Sequence, residues 1–459
     1  MNAFERLNRW ARNSVTLKLV IIGFLILMLL IPTSFVDGLI RDRTRLRDQA
    51  QLEVASKWGL QQTLGGPVIS VPYSYPVRSA DGKTTTTQSG VAHFLPGEID
   101  IEGEMVPEER YRGIYVVVLY NTKLRIRGNF SGFNVAALPV APQFLNWERA
   151  TLNIGISDMT GVNARIPLTL GDSLLNLGPG TSTGEVFTSG ASAPVTLTGR
   201  ETGLSFSYDL DLNGSSALYF RPFGERTTVR LTGSWANPSF DGTFLPRERA
   251  VTAEGYAAEW EVLQLNRNYP QQGIGNFLPQ DGNVDYYASS LDGDRYSGSN
   301  AGDRFGVRLL LPVDEYQKTY RSTNFAALFI IITFLTFFFI EVLNRRRVHP
   351  IQYLLVGAAI ILFYILLLSI SEHWRFNAAY WVSAAATVAL ITTYSYFVVR
   401  SVKLTGLIAA VLTVLYIFFF SLLQLQDYAL LIGALGLFLI LATIMYLTRN
   451  VDWYNLNRE

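Results

Sequence analysis

The distribution of apolar residues constrains this 459-residue chain more than any other feature. One long apolar run lies near the N-terminus, five more fill the last third, and the chain between them is polar. The runs are residues 14–36, 325–342, 351–370, 378–399, 404–425 and 428–447. Each is close to the ~20 residues with which a helix crosses ~30 Å of hydrocarbon. The pattern predicts six transmembrane helices, one plus five, with a large domain inserted after the first.

The first run has the outline of either an export signal or a retained anchor. Arg6, Arg9 and Arg12 precede it, as basic residues do in a signal. Residues 32–36 contain no small-residue cleavage pattern, and the run is long enough to span a membrane. We therefore interpret residues 1–36 as a cytoplasmic N-terminus followed by a retained transmembrane helix.

Basic residues predict the orientation. In a six-span chain four groups fall on one side: Arg6, Arg9 and Arg12; residues 345–347; Arg400 and Lys403; Arg449 and Arg458. That side is expected to be cytoplasmic. Four arginines between residues 41 and 47 oppose this assignment, but long translocated domains largely escape the rule. We expect a multi-pass protein of a bacterial inner membrane, with both termini cytoplasmic and the large domain periplasmic.

The inserted segment divides into a helical part and a β-rich part. Residues 37–59 contain no proline and end at Gly59, which predicts an extracytoplasmic extension of the first helix. Within residues 60–324 the period changes to two, most clearly at 204–212 and 123–127, with frequent turn residues between such runs. This alternation predicts a large antiparallel β-sandwich-like domain. Residues 325–447 then hold the last five membrane helices, and 448–459 form a cytoplasmic tail.

Composition and motifs give little support for catalysis or cofactor binding. The chain has no cysteine, and its three histidines, His93, His349 and His373, lie far apart in sequence. No P-loop, GxSxG or HExxH motif occurs. A net charge of +1 gives no sign of the excess of basic residues that nucleic-acid-binding proteins carry. We expect no catalytic, metal or cofactor site, no nucleic-acid partner, and a protein that is not an enzyme.

Two features nevertheless keep an enzymatic alternative open. His93 is the only histidine outside the membrane region and has the chemistry of a general base, although a strand histidine more often makes an ordinary hydrogen bond. Glu98, Asp100, Glu102 and Glu104 alternate along a predicted strand. A glycosidase needs two carboxylates facing each other across a cleft, whereas alternation favours one solvated row.

Charge is scarce within the membrane runs. The last four contain no Asp, Glu, Lys or Arg in their interiors, which argues against an ion-coupled transporter. Glu341 lies at the end of the second run, four residues before Arg345. We expect an ion pair between these two residues across one helical turn.

Aromatic residues mark the surfaces that are candidates for partner binding. One group is Trp235, Pro238, Phe240 and Phe244, and the alternative is that these are core and turn residues. The second group, Tyr269, Tyr286 and Tyr287, lies in a long polar stretch at 266–303, which resembles a binding loop or a mobile insertion.

Several motifs resemble one bacterial family. They are HPIQYLLVG at 349–357, LLSISEH at 367–373, TRNVDWY at 448–454, SWANPSFDG at 234–242, FLP at 244–246, GIY at 113–115 and SD at 157–158. Together they resemble the CreD family of inner-membrane proteins, also described as colicin-tolerance proteins. The resemblance implies a two-component regulon and a role in envelope stress, including colicin and β-lactam tolerance. It implies no catalytic residues. Ala236 and Asn237 replace an expected Pro-His pair, which removes one candidate metal ligand.

Three functions follow as hypotheses. The first is a non-enzymatic envelope protein that contacts the lipid bilayer and whose β domain binds a periplasmic glycan, lipid or protein. The second is a transporter of lipids or small molecules through the six helices. The third is a membrane-tethered hydrolase of cell-wall glycan.

Overall fold

The computed structural model describes residues 15–78, 85–279, 303–311, 315–344, 348–425 and 428–449. The helices are α1 (Val15–Trp58), α2 (Glu315–Thr323), α3 (Ala326–Leu343), α4 (Pro350–Ser371), α5 (Phe376–Val399), α6 (Val402–Gln424) and α7 (Ala429–Thr448). Helix α1 is continuous over 44 residues, although Pro32 lies inside it. It ends before Gly59, whose φ of +148° suits a residue without a side chain. The predicted first span and its helical extension therefore form one helix.

Four described helices, α1 and α4–α6, are long and apolar enough to cross a membrane, and a fifth span results if α2 and α3 are counted together. These two helices are bent by 44° relative to each other. Helix α2 was not predicted, and it precedes the domain boundary expected at residue 325. Its composition is polar, so hydropathy alone could not detect it. Helix α7 has a shorter described apolar stretch, Leu431–Tyr446.

Two β-sheets occupy the middle of the chain. The strands of the nine-stranded sheet are β1 (Gln62–Arg78), β2 (Thr85–Phe94), β5 (Ala150–Ile156), β8 (Gly178–Pro179), β9 (Gly190–Val195), β11 (Ala217–Phe220), β13 (Pro238–Gly242), β16 (Gln272–Ile274) and β17 (Phe305–Leu309). The strands of the eight-stranded sheet are β3 (Glu98–Arg112), β4 (Tyr115–Phe130), β6 (Pro167–Leu170), β7 (Ser173–Asn176), β10 (Leu204–Ser215), β12 (Arg226–Gly233), β14 (Glu248–Val251) and β15 (Tyr256–Leu263). The β-rich prediction is confirmed.

The sheets are mixed, which corrects the prediction of a purely antiparallel domain. Among the described strands, β1 pairs with β11 and β3 pairs with β12 in parallel, while the other ladders are antiparallel. Each parallel pair joins strands that are far apart in sequence. Alternation reports which side of a strand is buried, and it carries no information about the direction of a distant neighbour.

The alternating pattern places one side chain in two into a core shared by the sheets. In β10, Phe206, Tyr208, Leu210 and Leu212 are buried, whereas the polar residues between them are exposed or half-buried. The core also contains Leu152 of β5 and Trp260 of β15, so both sheets contribute to one hydrophobic cluster.

The chain forms two compact units. The helical unit contains α1 up to Leu46 together with α2–α7, and the β unit contains the chain from Arg47 to Pro312 apart from a short segment at 289–291. We use these two names below.

Candidate functional site

His93 lies at the centre of a polar row on one side of the nine-stranded sheet. The ladder sets it opposite Ser70 of β1 and Gly273 of β16. Ser70 is in turn opposite Thr151 of β5, and Asn153 follows two residues later on the same face. Neighbouring strands thus bring together side chains from residues 70, 93, 151 and 153.

The hydrogen bonds fix where each proton lies. Asn153 Oδ1 accepts from the backbone N–H of Ser182 at 2.9 Å, which leaves Asn153 Nδ2 to donate to Ser70 Oγ at 3.0 Å. The Ser70 hydroxyl then donates to His93 Nδ1, 2.8 Å away. The remaining ring nitrogen, Nε2, carries the proton and donates to Glu185 Oε2 at 3.0 Å. The direction follows from Glu185, because a carboxylate only accepts: Nε2 of a neutral His93 must carry the proton, and Nδ1 must accept from Ser70.

Ser70, His93 and Glu185 are connected in the order hydroxyl, base and carboxylate, as in a catalytic triad. The imidazole nitrogen that faces Ser70 is an acceptor, as a general base requires, and Glu185 orients the ring from the other side. Burial lowers the pKa of His93, and the hydrogen bond to Glu185 only partly opposes that shift. His93 is therefore neutral near pH 7, and its ring stacks at 6.2 Å on Phe277.

A covering loop, which we define as residues 180–190, closes this cluster. Ser70 is 1% exposed and His93 is fully buried. The Phe187 ring of the loop lies over Gly65 and Gly155, where a Cβ would come within 2.8 and 2.2 Å of ring carbons. The pocket beside it measures about 20 Å³, roughly the space for one water. No substrate can reach Ser70 in this arrangement.

The first four carboxylates of β3, Glu98, Asp100, Glu102 and Glu104, form a solvated row, as the alternating pattern predicted. Asp100, Glu102 and Glu104 are opposite Arg127, Arg125 and Lys123 of β4. Arg230 of β12 lies on their other side and binds Asp100 and Glu102, each at 2.8 Å. Its hydrogen bond lowers the pKa of Glu102. These acids lie on one strand, between basic residues of the two neighbouring strands. The paired carboxylates of a glycosidase face one another across a cleft, and these acids do not.

The first group of predicted partner residues lies at a sheet edge. Trp235, Pro238, Phe240 and Phe244 are all half-buried, and the three aromatic rings pack against the core. Phe240 makes edge contacts with Tyr256 and Trp260, and Phe244 makes one with Phe305. Trp235 Nε1 donates to the carbonyl of Leu310 at 3.0 Å. The structure brings these residues together, with part of each side chain accessible.

Of the second group of predicted partner residues, only Tyr269 lies within the described part of the chain. Tyr269 is buried, its hydroxyl donates to the Pro222 carbonyl at 3.0 Å, and Arg267 lies 4.3 Å from its ring. Tyr269 is therefore an anchor at the start of the 266–303 stretch. Tyr286 and Tyr287 lie outside the described residues.

In the part of the helical unit that the structure describes, the buried Glu341 and the half-buried Glu372 each lie at a helix end. Glu341 of α3 accepts from Lys18 Nζ at 2.8 Å and from the Tyr353 hydroxyl at 3.2 Å. Its expected partner Arg345 lies outside the described residues. Glu372, after α4, pairs with Arg43 at 3.4 Å and accepts from the Tyr316 hydroxyl at 3.3 Å.

Sequence reasoning identified His93 and missed its partners Ser70, Asn153 and Glu185. Ser70 and Asn153 carried a usable signal, because each is a polar residue inside an apolar strand run, where it needs a hydrogen-bond partner. Glu185 lies in a loop 92 residues from His93, and no sequence pattern marked it as a partner of that residue. Among the described residues, no three Asp, Glu or His side chains form a metal cluster.

Comparison with known proteins assigns the chain to a family. The family model described as Inner membrane protein CreD matches residues 14–454. Inner membrane protein CreD of Escherichia coli (strain K12) is 30% identical over 433 residues, which cover 94% of this chain and 91% of that protein. Together with the apolar helices, these matches identify the chain as an inner-membrane protein that belongs to the CreD family.

Proposed function

We propose that this protein is a six-span envelope protein with cytoplasmic termini, whose β unit lies in the periplasm and binds a glycan, lipid or protein partner without catalysis. Colicin tolerance, β-lactam tolerance and control by a two-component regulon belong to the same proposal. The family membership supports the inner-membrane location, and the following observations support the rest.

The covering loop supports a non-catalytic role more than any other observation. Exposing Ser70 requires displacement of residues 180–190, and Glu185 belongs to this same loop. Opening would therefore remove the carboxylate that orients His93. Since the cluster cannot be both accessible and complete, it serves better to attach the loop to the sheet than to activate Ser70. This argues against the hydrolase alternative.

The ion pairs of α1 support a retained, membrane-crossing first helix. Lys18 and Arg43, which contact Glu341 and Glu372, are 25 residues apart, about 37 Å of helix. This distance slightly exceeds the ~30 Å hydrocarbon thickness. Both charged pairs can therefore lie at the two membrane surfaces, with the apolar part of α1 between them.

The edge strand β13 supports partner binding. In the described sheet β13 is terminal and pairs with β17 alone, so its other edge offers backbone groups to a partner. The half-buried Phe240 of this strand, with Trp235 and Phe244 beside it, adds apolar surface. Edge pairing combined with aromatic contacts is an established mode of peptide recognition.

A ligand panel tests the proposal. The purified full chain is unfolded thermally with muropeptides, lipopolysaccharide fragments, phospholipids or maltooligosaccharides. A ligand at 100 times its Kd adds about 2.7 kcal/mol, which raises the Tm by several degrees. We expect one class to do so, and Phe240→Ala to weaken the shift, with the exposed Leu174→Ala as control. Absence of any shift would contradict glycan and lipid binding and leave only a protein partner.

Transport through the helices is the second candidate, because the buried face of α5 carries the hydroxyls of Ser383, Thr387 and Ser395. Substrate-dependent flux in proteoliposomes would support it. Flux equal to that of empty liposomes would exclude it for the substrates tried.

A further inference from the structure

The β3–β4 hairpin of the β unit ends in an exposed apolar turn. Its ladder closes with Arg112 opposite Tyr115, so the turn itself consists of residues 113 and 114. Gly113 has the positive φ, +62°, that such a two-residue turn requires. Ile114 is 43% exposed, and Tyr111 is 69% exposed. Small polar residues are usual in such turns, so an exposed isoleucine there is unusual.

A second hairpin of the same sheet provides a direct comparison. Strands β6 and β7 are also joined by a two-residue turn, in which Gly171 has a φ of +56° and the next residue is the exposed Asp172. Pairing through β10 sets Leu170, just before this turn, level with Gly128 of β4. Val116, next to the apolar turn, is twelve positions from Gly128, or ~40 Å of strand. The two turns therefore lie at opposite ends of one sheet and differ in polarity.

Side-chain contacts attach the apolar hairpin to the end of α1. Gln51 Nε2 donates to the Val116 carbonyl at 3.0 Å, and Trp58 Nε1 donates to the Tyr120 carbonyl at 3.2 Å. Two further contacts are those of Arg112 with Glu53 at 3.0 Å and of Arg110 with the Trp58 ring at 4.6 Å. Because the higher-numbered residue of α1 contacts the higher-numbered residue of β4, the two elements run in the same direction. The turn, which precedes Val116, therefore points back along α1 toward its apolar part.

The distances along α1 and β4 place this turn close to a membrane surface. In the proposed function, on which this inference rests, α1 crosses the membrane and Arg43 lies at its surface. Gln51 follows Arg43 by eight residues, ~12 Å of helix, and Ile114 precedes Val116 by two residues, ~7 Å of strand. The turn is thus only ~5 Å beyond Arg43 along the helix. Since the headgroup layer is roughly 5–8 Å thick on each side of the hydrocarbon, the side chains of the turn reach it.

We propose that the tip of this hairpin, residues 111–114, lies in the headgroup layer of the membrane that α1 crosses. Ile114 supplies an apolar side chain, and Tyr111 supplies a ring with a polar end, which suits the boundary between water and hydrocarbon. Arg112 is 58% exposed, and its guanidinium has donors to spare for a lipid phosphate. The β unit then contacts the bilayer at a second point besides α1.

Fluorescence quenching by lipids tests this contact. Because the chain has no cysteine, Ile114→Cys gives a single labelling site in the full chain. The labelled protein is reconstituted in vesicles of phosphatidylethanolamine and phosphatidylglycerol, with a nitroxide quencher on some of the headgroups. We expect strong quenching for Ile114→Cys and little for Asp172→Cys, the matched turn at the other end of the sheet. Equal quenching at the two sites, or none for Ile114→Cys, would overturn the proposal.

A label on α1 separates a failure of this inference from a failure of the proposed function. Leu39 is an exposed residue of α1, four positions before Arg43. A label at Leu39→Cys is quenched whenever α1 crosses the membrane there. Quenching for Leu39→Cys and none for Ile114→Cys would exclude the hairpin contact alone. An absence of quenching at both sites would also contradict the crossing by α1.

A charge at the turn tests whether Ile114 holds the tip in the lipid. Ile114→Asp creates the same Gly-Asp sequence that joins β6 to β7, so the hairpin can still form its turn. With the label moved to Tyr111→Cys, this substitution should reduce quenching severalfold, because a carboxylate is repelled by anionic headgroups. Val106→Asp, at an exposed position of β3 away from the tip, is the control and should leave quenching unchanged. Equal quenching with and without Ile114→Asp would overturn the role of this residue.

Discussion

The β unit and the helical unit differ in how their buried polar side chains are hydrogen-bonded. Among the described residues, buried side-chain atoms without a partner occur in both units. In the β unit, Glu201, Asp241 and Arg267 each have one such atom, and their other polar atoms are hydrogen-bonded or ion-paired. Trp260 is the exception, because its indole nitrogen is its only polar side-chain atom. In the helical unit each is the only polar atom of its side chain: Thr333, Tyr364, Ser383, Thr392, Thr405 and Tyr416.

The difference shows what polarity does in each unit. In the β unit, buried polar groups attach distant segments to the sheets, as Glu185 and Asn153 attach the covering loop. In the helical unit, the charged groups Lys18, Glu341, Arg43 and Glu372 pair between helices, while single hydroxyls stay inside. Substitutions should therefore have different consequences in the two units.

The largest effect is expected at Arg267 of the β unit. Its guanidinium donates to the carbonyls of Tyr269, Phe223 and Gly224. Arg267→Met removes the donor to the Tyr269 and Gly224 carbonyls, whereas the Phe223 carbonyl keeps Gln271 Nε2, and it should lower the free energy of unfolding by about 3 kcal/mol. Chemical denaturation of the full chain measures this. The exposed Arg249→Met is the matched control and should change it by less than ~0.5 kcal/mol. Equal effects at both positions would contradict an anchoring role.

A smaller effect is expected at the Lys18–Glu341 pair. Lys18→Met leaves Glu341, which is 4% exposed, without its cation. We expect a loss of about 2 kcal/mol, less than for a fully buried pair, because Lys18 itself is 30% exposed. The variant that combines Lys18→Met with Glu341→Gln should recover most of that loss. A double variant at least as unstable as the sum of the single ones would show that the two residues do not interact.

Two serines provide the most closely matched comparison between the units. Ser70 donates to His93 and accepts from Asn153, whereas the equally buried Ser383 has no partner among the described residues. Ser70→Ala should cost about 1–2 kcal/mol of unfolding free energy, and Ser383→Ala should change it by less than ~0.5 kcal/mol. The reverse order would mean that the hydrogen bonds of the β unit are not what stabilises its covering loop.

The smallest effect is a pH dependence in the β unit. Because burial lowers the pKa of His93, the folded chain binds fewer protons than the unfolded chain once the pH falls below the ordinary histidine value of 6.5. Stability is then lost with falling pH until the folded pKa is passed. Tm values measured from roughly pH 7 to pH 5 should fall less steeply in His93→Gln than in wild type. Identical slopes would show that His93 does not titrate in this window.

The sequence predicted features that depend on local pattern. Alternation correctly placed Asp100, Glu102 and Glu104 on one exposed face, and hydropathy identified α1 and α4–α6. It could not predict contacts between remote segments, such as Glu185 with His93 or Lys18 with Glu341, since no local pattern records them. Helix α2 and the two parallel ladders were missed for the related reason that tertiary packing determines them.

Side-chain roles were predicted less well than their positions. Tyr269 was grouped with partner-binding residues because tyrosines among small polar residues resemble a binding loop. Its burial depends on Arg267 and Pro222, which only the folded chain brings together. The role of Trp235, Pro238, Phe240 and Phe244 stays a prediction that the ligand panel addresses.

Cysteine labelling tests the central claim, a β unit in the periplasm, most directly, because the chain contains no cysteine of its own. Leu265→Cys introduces a thiol at a position of the β unit that is 95% exposed, and Ser401→Cys introduces one in the link between α5 and α6. Intact cells with a permeabilised outer membrane are treated with a maleimide that cannot cross the inner membrane. With the β unit in the periplasm, the Leu265→Cys variant is expected to be labelled at once and the Ser401→Cys variant only after lysis. Labelling of the Ser401→Cys variant in intact cells, with the Leu265→Cys variant protected, would contradict that location.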